Sequence, residues 1–177
     1  MKLVLIQIVA VLALVGCASE YQIQPLSGSQ HTMVLNKQGG VYITVPADGK
    51  YQDINYPGSG QLIAQALAAE FSKYARTVQT APSQSQDAGL SEARRAGSQY
   101  LVVPVITHWE QRATEWSGRP SRMSFRITVF DVASGKQLLS EGIEGRTSKV
   151  RFTSTSPDEL LQKPIAEIVD SLYESDQ

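Results

Sequence analysis

The densest chemical stretch of the chain is His108-Trp109-Glu110-Gln111-Arg112-Ala113-Thr114-Glu115-Trp116-Ser117-Gly118-Arg119. Both tryptophans and one of the two histidines fall between His108 and Trp116. Imidazole and carboxylate together can move protons or hold a metal, guanidinium groups fork onto anions, and indoles make apolar walls. If the strand leading into this stretch continues to Glu110, alternation sets His108 and Glu110 on one face and Trp109 on the other. A metal site would use His108, Glu110 and Glu115, against the habit of zinc sites of offering more than one histidine. A binding pocket would use Trp109 or Trp116 as its wall, with Arg112 and Arg119 as anion forks. A structural stretch would bury Trp109 in the core, let Trp116 pin the loop, and pair Glu110 or Glu115 with an arginine. A hydrolase would need Glu110 and Glu115 set across the scissile bond of a sugar.

The second stretch is Pro46-Ala47-Asp48-Gly49-Lys50-Tyr51-Gln52-Asp53-Ile54-Asn55-Tyr56-Pro57-Gly58. Asp-Gly and Pro-Gly are turn formers, so an ordinary surface loop accounts for it. Its expected position gives it more weight. In a sheet of order 2-1-3, the loop after the first strand and the segment after the third meet at a topological switch point, where open α/β sheets bind ligands. A helix starting near Ser59 would present amide hydrogens there to an anion. The candidate ligand- or partner-binding set is therefore Asp48, Tyr51, Tyr56, His108, Glu110, Arg112, Glu115 and Trp116. No catalytic residue and no cofactor is assigned. Gly58-Ser59-Gly60 lacks the spacing of a nucleophile elbow or phosphate loop, and Ser59 reads as a helix cap. His31, in a non-periodic N-terminal stretch, is no partner for the cluster.

The third chemical residue is Cys17, the sole cysteine. Lys2 followed by the apolar run Leu3 to Val15, with Gly16 at the end, is the layout of a secretory signal over residues 1–16. Leu14-Val15-Gly16-Cys17 resembles the lipobox of bacterial lipoproteins, which implies a diacylglyceryl group on the thiol and cleavage before Cys17. The other reading is a secreted protein with one stray thiol in an oxidising compartment. Ala18 and Ser19 are not the aspartate that marks inner-membrane retention in such lipoproteins. The resemblance therefore implies the periplasmic face of the outer membrane, with cell-surface display the other option. A single cysteine leaves neither an intramolecular disulfide nor a thiolate zinc site.

These residues need elements to position them. Residues 17–40 read as a lipidated N-terminus and flexible tether of about 20 residues, rich in Ser, Gln and Gly. The domain occupies 41–177, enough for one core. Val41 to Val45 is a β-branched strand. Ile63, Ala66, Leu67, Phe71 and Tyr74 mark a helix. Arg76 to Thr80 is a short strand, 81–89 a polar loop, and Leu90 to Ala96 a short helix stopped by Gly97. Tyr100 to Trp109 is a strand in which Pro104 demands a bulge or an unpaired edge. Met123 to Val129 alternates, and a turn at Ala133-Ser134-Gly135 sets Phe125 opposite Ile143, Val129 opposite Leu139 and Thr128 opposite Ser140. A further strand runs from Arg146 to Thr153, with an edge open to a partner strand. Ser156 caps a final helix that Pro164 restarts or kinks. The fold class is α/β: a single three-layer domain whose mixed sheet has a parallel β-α-β-α-β part, then an antiparallel hairpin and a C-terminal helix.

Sixteen basic and 17 acidic side chains give a net charge of −1, which provides no field to recruit nucleic acid. Charge is uneven, with Arg112, Arg119, Arg122, Arg126, Arg146, Lys149 and Arg151 in one sector. Asp158, Glu159, Glu167, Asp170, Glu174 and Asp176 crowd the end.

Val45-Pro46-Ala47-Asp48-Gly49-Lys50-Tyr51, with Tyr100-Leu101-Val102-Val103-Pro104, His108-Trp109-Glu110 and Arg112-Ala113-Thr114-Glu115-Trp116-Ser117-Gly118, resembles an uncharacterised domain-of-unknown-function lipoprotein family of Gram-negative bacteria. The similarity spans about residues 17–173. It implies a lipid anchor at Cys17 and a small α/β domain, and it supplies no catalytic residues. At fold level the chain is also similar to small periplasmic α/β domains such as the TolB N-terminal domain. The reading is a lipid-anchored envelope protein acting as a binding or accessory module. Its partners are the membrane through the anchor, and an envelope protein, a peptidoglycan fragment or a small anionic molecule. The competing reading is a periplasmic hydrolase or metal-dependent enzyme using Glu110, Glu115 or His108.

Overall fold

The computed structural model describes residues 20–27, 34–82, 85–111, 120–147 and 160–174. Outside them lie Cys17 and the signal stretch, Arg112, Glu115, Trp116, the expected strand beyond Thr147 and the cap at Ser156. The first element is one that composition hid. Glu20–Pro25 (β1) is a strand, so the tether expected over 17–40 is corrected: residues 20–25 of it join the sheet. After it come Gly40–Val45 (β2), a hairpin of Lys50–Tyr51 (β3) and Ile54–Asn55 (β4), and the helix Ser59–Phe71 (α1). Thr77–Pro82 (β5), the helix Gln86–Arg95 (α2) and three long strands, Tyr100–Glu110 (β6), Arg122–Asp131 (β7) and Gln137–Arg146 (β8), follow. Gln162–Tyr173 (α3) ends the described chain.

Six strands form one mixed sheet in the order β1-β8-β7-β6-β2-β5, and β3 and β4 form a separate ribbon. β2 is parallel to both β5 and β6, while β6, β7, β8 and β1 pair antiparallel. The hairpin of β7 and β8 pairs Phe125 with Ile143, Val129 with Leu139 and Thr128 with Ser140, as alternation predicts. The two hydroxyls of the last pair lie 3.3 Å apart. Gly135 takes the left-handed conformation in the turn, φ 70°. Asp131 closes that turn, accepting from the Ser134 amide at 2.8 Å and the Ser134 hydroxyl at 2.6 Å. Those donors hold its carboxyl below the usual aspartate range, the hydroxyl contributing most.

Adjacent residues of a strand face opposite sides, and here both sides of the central strands are packed. Val41, Ile43, Val102, Phe125, Ile127 and Ile143 meet Ile63, Leu67 and Phe71 of α1 and Ile165, Ile168 and Leu172 of α3. Tyr42, Leu101 and Phe130 meet Leu90 and Ala93 of α2 on the other side. Each large apolar side chain so buried stabilises the fold by about 1.5–3 kcal/mol relative to exposure. α2 begins before Leu90, because Ser85 accepts from the Ala88 amide at 3.2 Å and Asp87 suits the positive helix end. The loop expected over 81–89 is shortened accordingly. Pro164 falls in the first turn of α3, where its missing N–H breaks no helical bond.

Pro104 makes no bulge. Pairing of β6 with β2 stops at Val102, so the proline sits where the strand has a strand neighbour on one side only. The irregularity comes later, between Ile106 and His108. That shift lets Ile106 and Trp109, three residues apart, pack on the same side of the sheet.

Candidate functional site

Past the end of β2 the chain turns back over β6, and a set of hydrogen bonds fixes this return. The Ser59 hydroxyl accepts from the Gly49 amide at 2.8 Å and donates to the Tyr56 carbonyl at 2.7 Å. The expected role of Ser59 as a helix cap is corrected: it is the first residue of α1, and its side chain ties the loop instead. Capping comes from Asp48, whose carboxylate accepts from the Gly60 amide at 2.9 Å. With that amide bonded to Asp48, and the Ser59 amide to the Tyr56 carbonyl at 3.2 Å, the expected anion site at the start of α1 is already filled from within.

The returning loop meets the end of β6. The Gln111 amide donates to the Tyr56 hydroxyl at 3.3 Å. Tyr51 stands edge-on to His108, ring centroids 5.3 Å apart and planes at 75°. The His108 Nε2 lies 3.6 Å from a carboxylate oxygen of Glu110, whose side chain is 6% exposed. Trp109 is 3% exposed and belongs to the core, so it walls no pocket. Asp48, Tyr51, Tyr56, His108 and Glu110 thus share one end of the sheet. Arg112, Glu115 and Trp116 lie outside the described residues, and so does Cys17. Among the described residues, no group of three or more His, Cys, Asp or Glu side chains is placed to hold a metal ion.

From His108 the sheet continues as an open polar face. The rows are His108-Ser124-Glu144-Gln22 and Glu110-Arg122-Arg146-Glu20, read across β6, β7, β8 and β1. Between them runs a groove of about 520 Å³, lined on its polar side by His108, Arg122, Ser124, Glu144 and Glu20. Arg146 donates through Nε to Glu20 at 2.8 Å. Arg122 and Glu144 have no ion-pair partner among the described residues. This strip is absent from the candidate set drawn from the sequence, although the alternation Arg122, Ser124, Arg126 against Met123, Phe125, Ile127 marks the polar face. Its outer border depended on β1, which periodicity did not betray. β1 also covers the flank of β8 as far as Arg146, and the rest of the open strand edge expected over Arg146 to Thr153 lies, beyond Thr147, outside the described residues.

Residues 33–172 match the family model described as "Domain of unknown function (DUF4823)". No curated protein matches the sequence. Among solved structures, the fold is similar to the PelC dodecamer from Paraburkholderia phytofirmans. The TM-score is 0.68 at 15% identity, covering 89% of this chain and all of that one. It is also similar to protein XCC0632 from Xanthomonas campestris, with a TM-score of 0.51 at 9% identity, covering 82% of this chain and 87% of that one. At such identities the likeness is one of fold.

Proposed function

We propose that this chain, which belongs to the DUF4823 family, is a lipid-anchored protein of the cell envelope acting as a binding or accessory module. The observation that carries the binding half is the convergence of two distant polar segments at one sheet end, tied by Tyr56 to Gln111 and by Tyr51 to His108. The anchoring half rests on the resemblance of Leu14-Val15-Gly16-Cys17 to a lipobox, and Ala18 and Ser19 in place of an aspartate support the periplasmic face of the outer membrane. Two or three acyl chains, at about 0.8 kcal/mol per buried methylene, hold a domain there permanently. Among the described residues no helix is long and apolar enough to cross a membrane.

Among the described residues the shape of the site supports binding, and Glu115, the second carboxylate of the hydrolase reading, lies outside them. A hydrolase of the kind considered would bring carboxylates together in a deep cleft. Here Glu110 is tucked beside His108, while the adjoining groove is open and lined by exposed side chains, Arg146 at 60% and Glu20 at 65%. The ligand of this edge is an envelope component, whether protein, peptidoglycan fragment or small anion.

Two measurements test the reading. Labelled palmitate enters the parent protein and not the Cys17→Ala variant, and label in the variant refutes the anchor. A photo-crosslinking residue at Tyr51 captures envelope components that the same residue at Ser134, on the remote turn, does not. Identical capture at both positions refutes the site.

A further inference from the structure

The first residue of β1 is Glu20, three residues after Cys17, and three residues of extended chain reach about 10 Å. Glu20 stands in the row Glu110-Arg122-Arg146-Glu20, at the same sheet end as the candidate site. The row spans three strand spacings, about 14 Å, and the hairpin of β3 and β4 lies beyond it against β6. Its start is fastened, since Arg146 grips Glu20 and the Tyr21 hydroxyl donates to Glu167 of α3 at 2.9 Å. A lipid on Cys17 therefore cannot leave this end of the domain far from the bilayer.

The surface there suits a phospholipid interface. Ile54, at the hairpin tip, is 54% exposed, the most exposed large apolar side chain described. Arg122 and Glu144 are exposed and unpaired among the described residues, and they sit diagonally on neighbouring strands within the groove. One cation and one anion at that spacing complement a headgroup that carries both a phosphate and an ammonium. With Arg146 already paired to Glu20, the described residues of the patch carry no cationic excess to favour an anionic lipid.

We infer that this sheet end is a bilayer-contact surface taking zwitterionic phospholipid headgroups, Arg122 facing the phosphate and Glu144 the ammonium, with Ile54 immersed beside them. The inference rests on the lipid anchor at Cys17 and adds the orientation and the lipid class.

The test uses the full-length lipidated protein in phosphatidylethanolamine vesicles that carry a headgroup-level quencher. Because acylated Cys17 is the sole native cysteine, an introduced thiol takes a fluorophore cleanly. Mass analysis of the N-terminal peptide first reports acylation, so a missing anchor is seen separately. With acylation present, Ile54→Cys label is quenched several-fold more than Ser134→Cys label. Equal quenching, or stronger quenching at Ser134, overturns the orientation. Arg122→Ala and Glu144→Ala each bring the Ile54 signal down towards the Ser134 level, and no change in either overturns the headgroup assignment. Replacing phosphatidylethanolamine by phosphatidylglycerol weakens quenching at Ile54, and unchanged or stronger quenching overturns the zwitterion preference.

Discussion

Gly49 lies flat against Trp109. A methyl group on its α-carbon would come 2.9 Å from the indole Cγ and 3.1 Å from a methyl of Ile106. This contact sets how closely the Asp48–Tyr56 return can approach the end of β6. Gly49→Ala should therefore destabilise the fold by about 1–3 kcal/mol, the usual cost of overpacking. Urea unfolding measures it, and an unchanged midpoint would mean that the loop lifts off Trp109 at no cost.

Asp48 caps α1 from a distance in sequence, so its loss frees both a helix end and a loop. Asp48→Ala should cost about 1 kcal/mol. Asp48→Asn keeps a side-chain oxygen for the Gly60 amide and should cost a few tenths of that. Equal losses for the two substitutions would assign the effect to charge rather than to the hydrogen bond.

How much of this was legible beforehand follows from periodicity. β7 and β8 alternate strictly, and the three cross-strand pairs read from Phe125, Thr128 and Val129 are the observed ones. The meeting of the 46–58 loop with the end of β6 was legible from strand order. β1 was not, because an edge strand with one half-covered face needs no strong apolar pattern: among Glu20 to Pro25 only Tyr21 and Ile23 are even partly buried. The groove residue Arg122 was in view as a charge, and Glu144 was not singled out. What joins them is registry across β6, β7, β8 and β1, which no single segment encodes. Asp48 took the capping role expected of Ser59 for a related reason, since either side chain can serve a helix start and only the tertiary approach of the loop decides.

At the opposite end of the sheet, Asp131 gives the hairpin an acid-sensitive clasp. Its folded pKa lies below its unfolded value. Its contribution is therefore complete above the unfolded value and is lost as pH falls through the lowered folded one. The melting temperature of the parent should approach that of Asp131→Ala as the solution is acidified below pH about 4. A gap between the two proteins that stays constant down to strong acid would remove the Ser134 clasp as its cause.

Among the described residues, Tyr173 carries a buried hydroxyl that the fold leaves unserved. Its ring stacks on Tyr74 at 4.8 Å and meets Phe71 edge-on at 6.2 Å, yet its hydroxyl finds no hydrogen-bond partner among the described residues. An unpaired buried hydroxyl costs about 1–3 kcal/mol, while a hydrogen in its place keeps the aromatic contacts. Tyr173→Phe should accordingly raise stability at neutral pH by about 1 kcal/mol. The titration carries the same sign. Burial first, and the nearby Tyr100 second, push the Tyr173 hydroxyl up to about 12 from its ordinary 10.0. The folded state thus favours the neutral phenol, and the parent loses stability as pH rises from about 10 through about 12. The Phe variant is spared that component of the alkaline loss, so its advantage widens between neutral and alkaline pH. Urea midpoints at both conditions measure the widening, and a phenolate absorbance titration should lose its highest component. A Phe variant less stable than the parent at neutral pH would show that the hydroxyl is bonded after all, and the alkaline gap would then close rather than open.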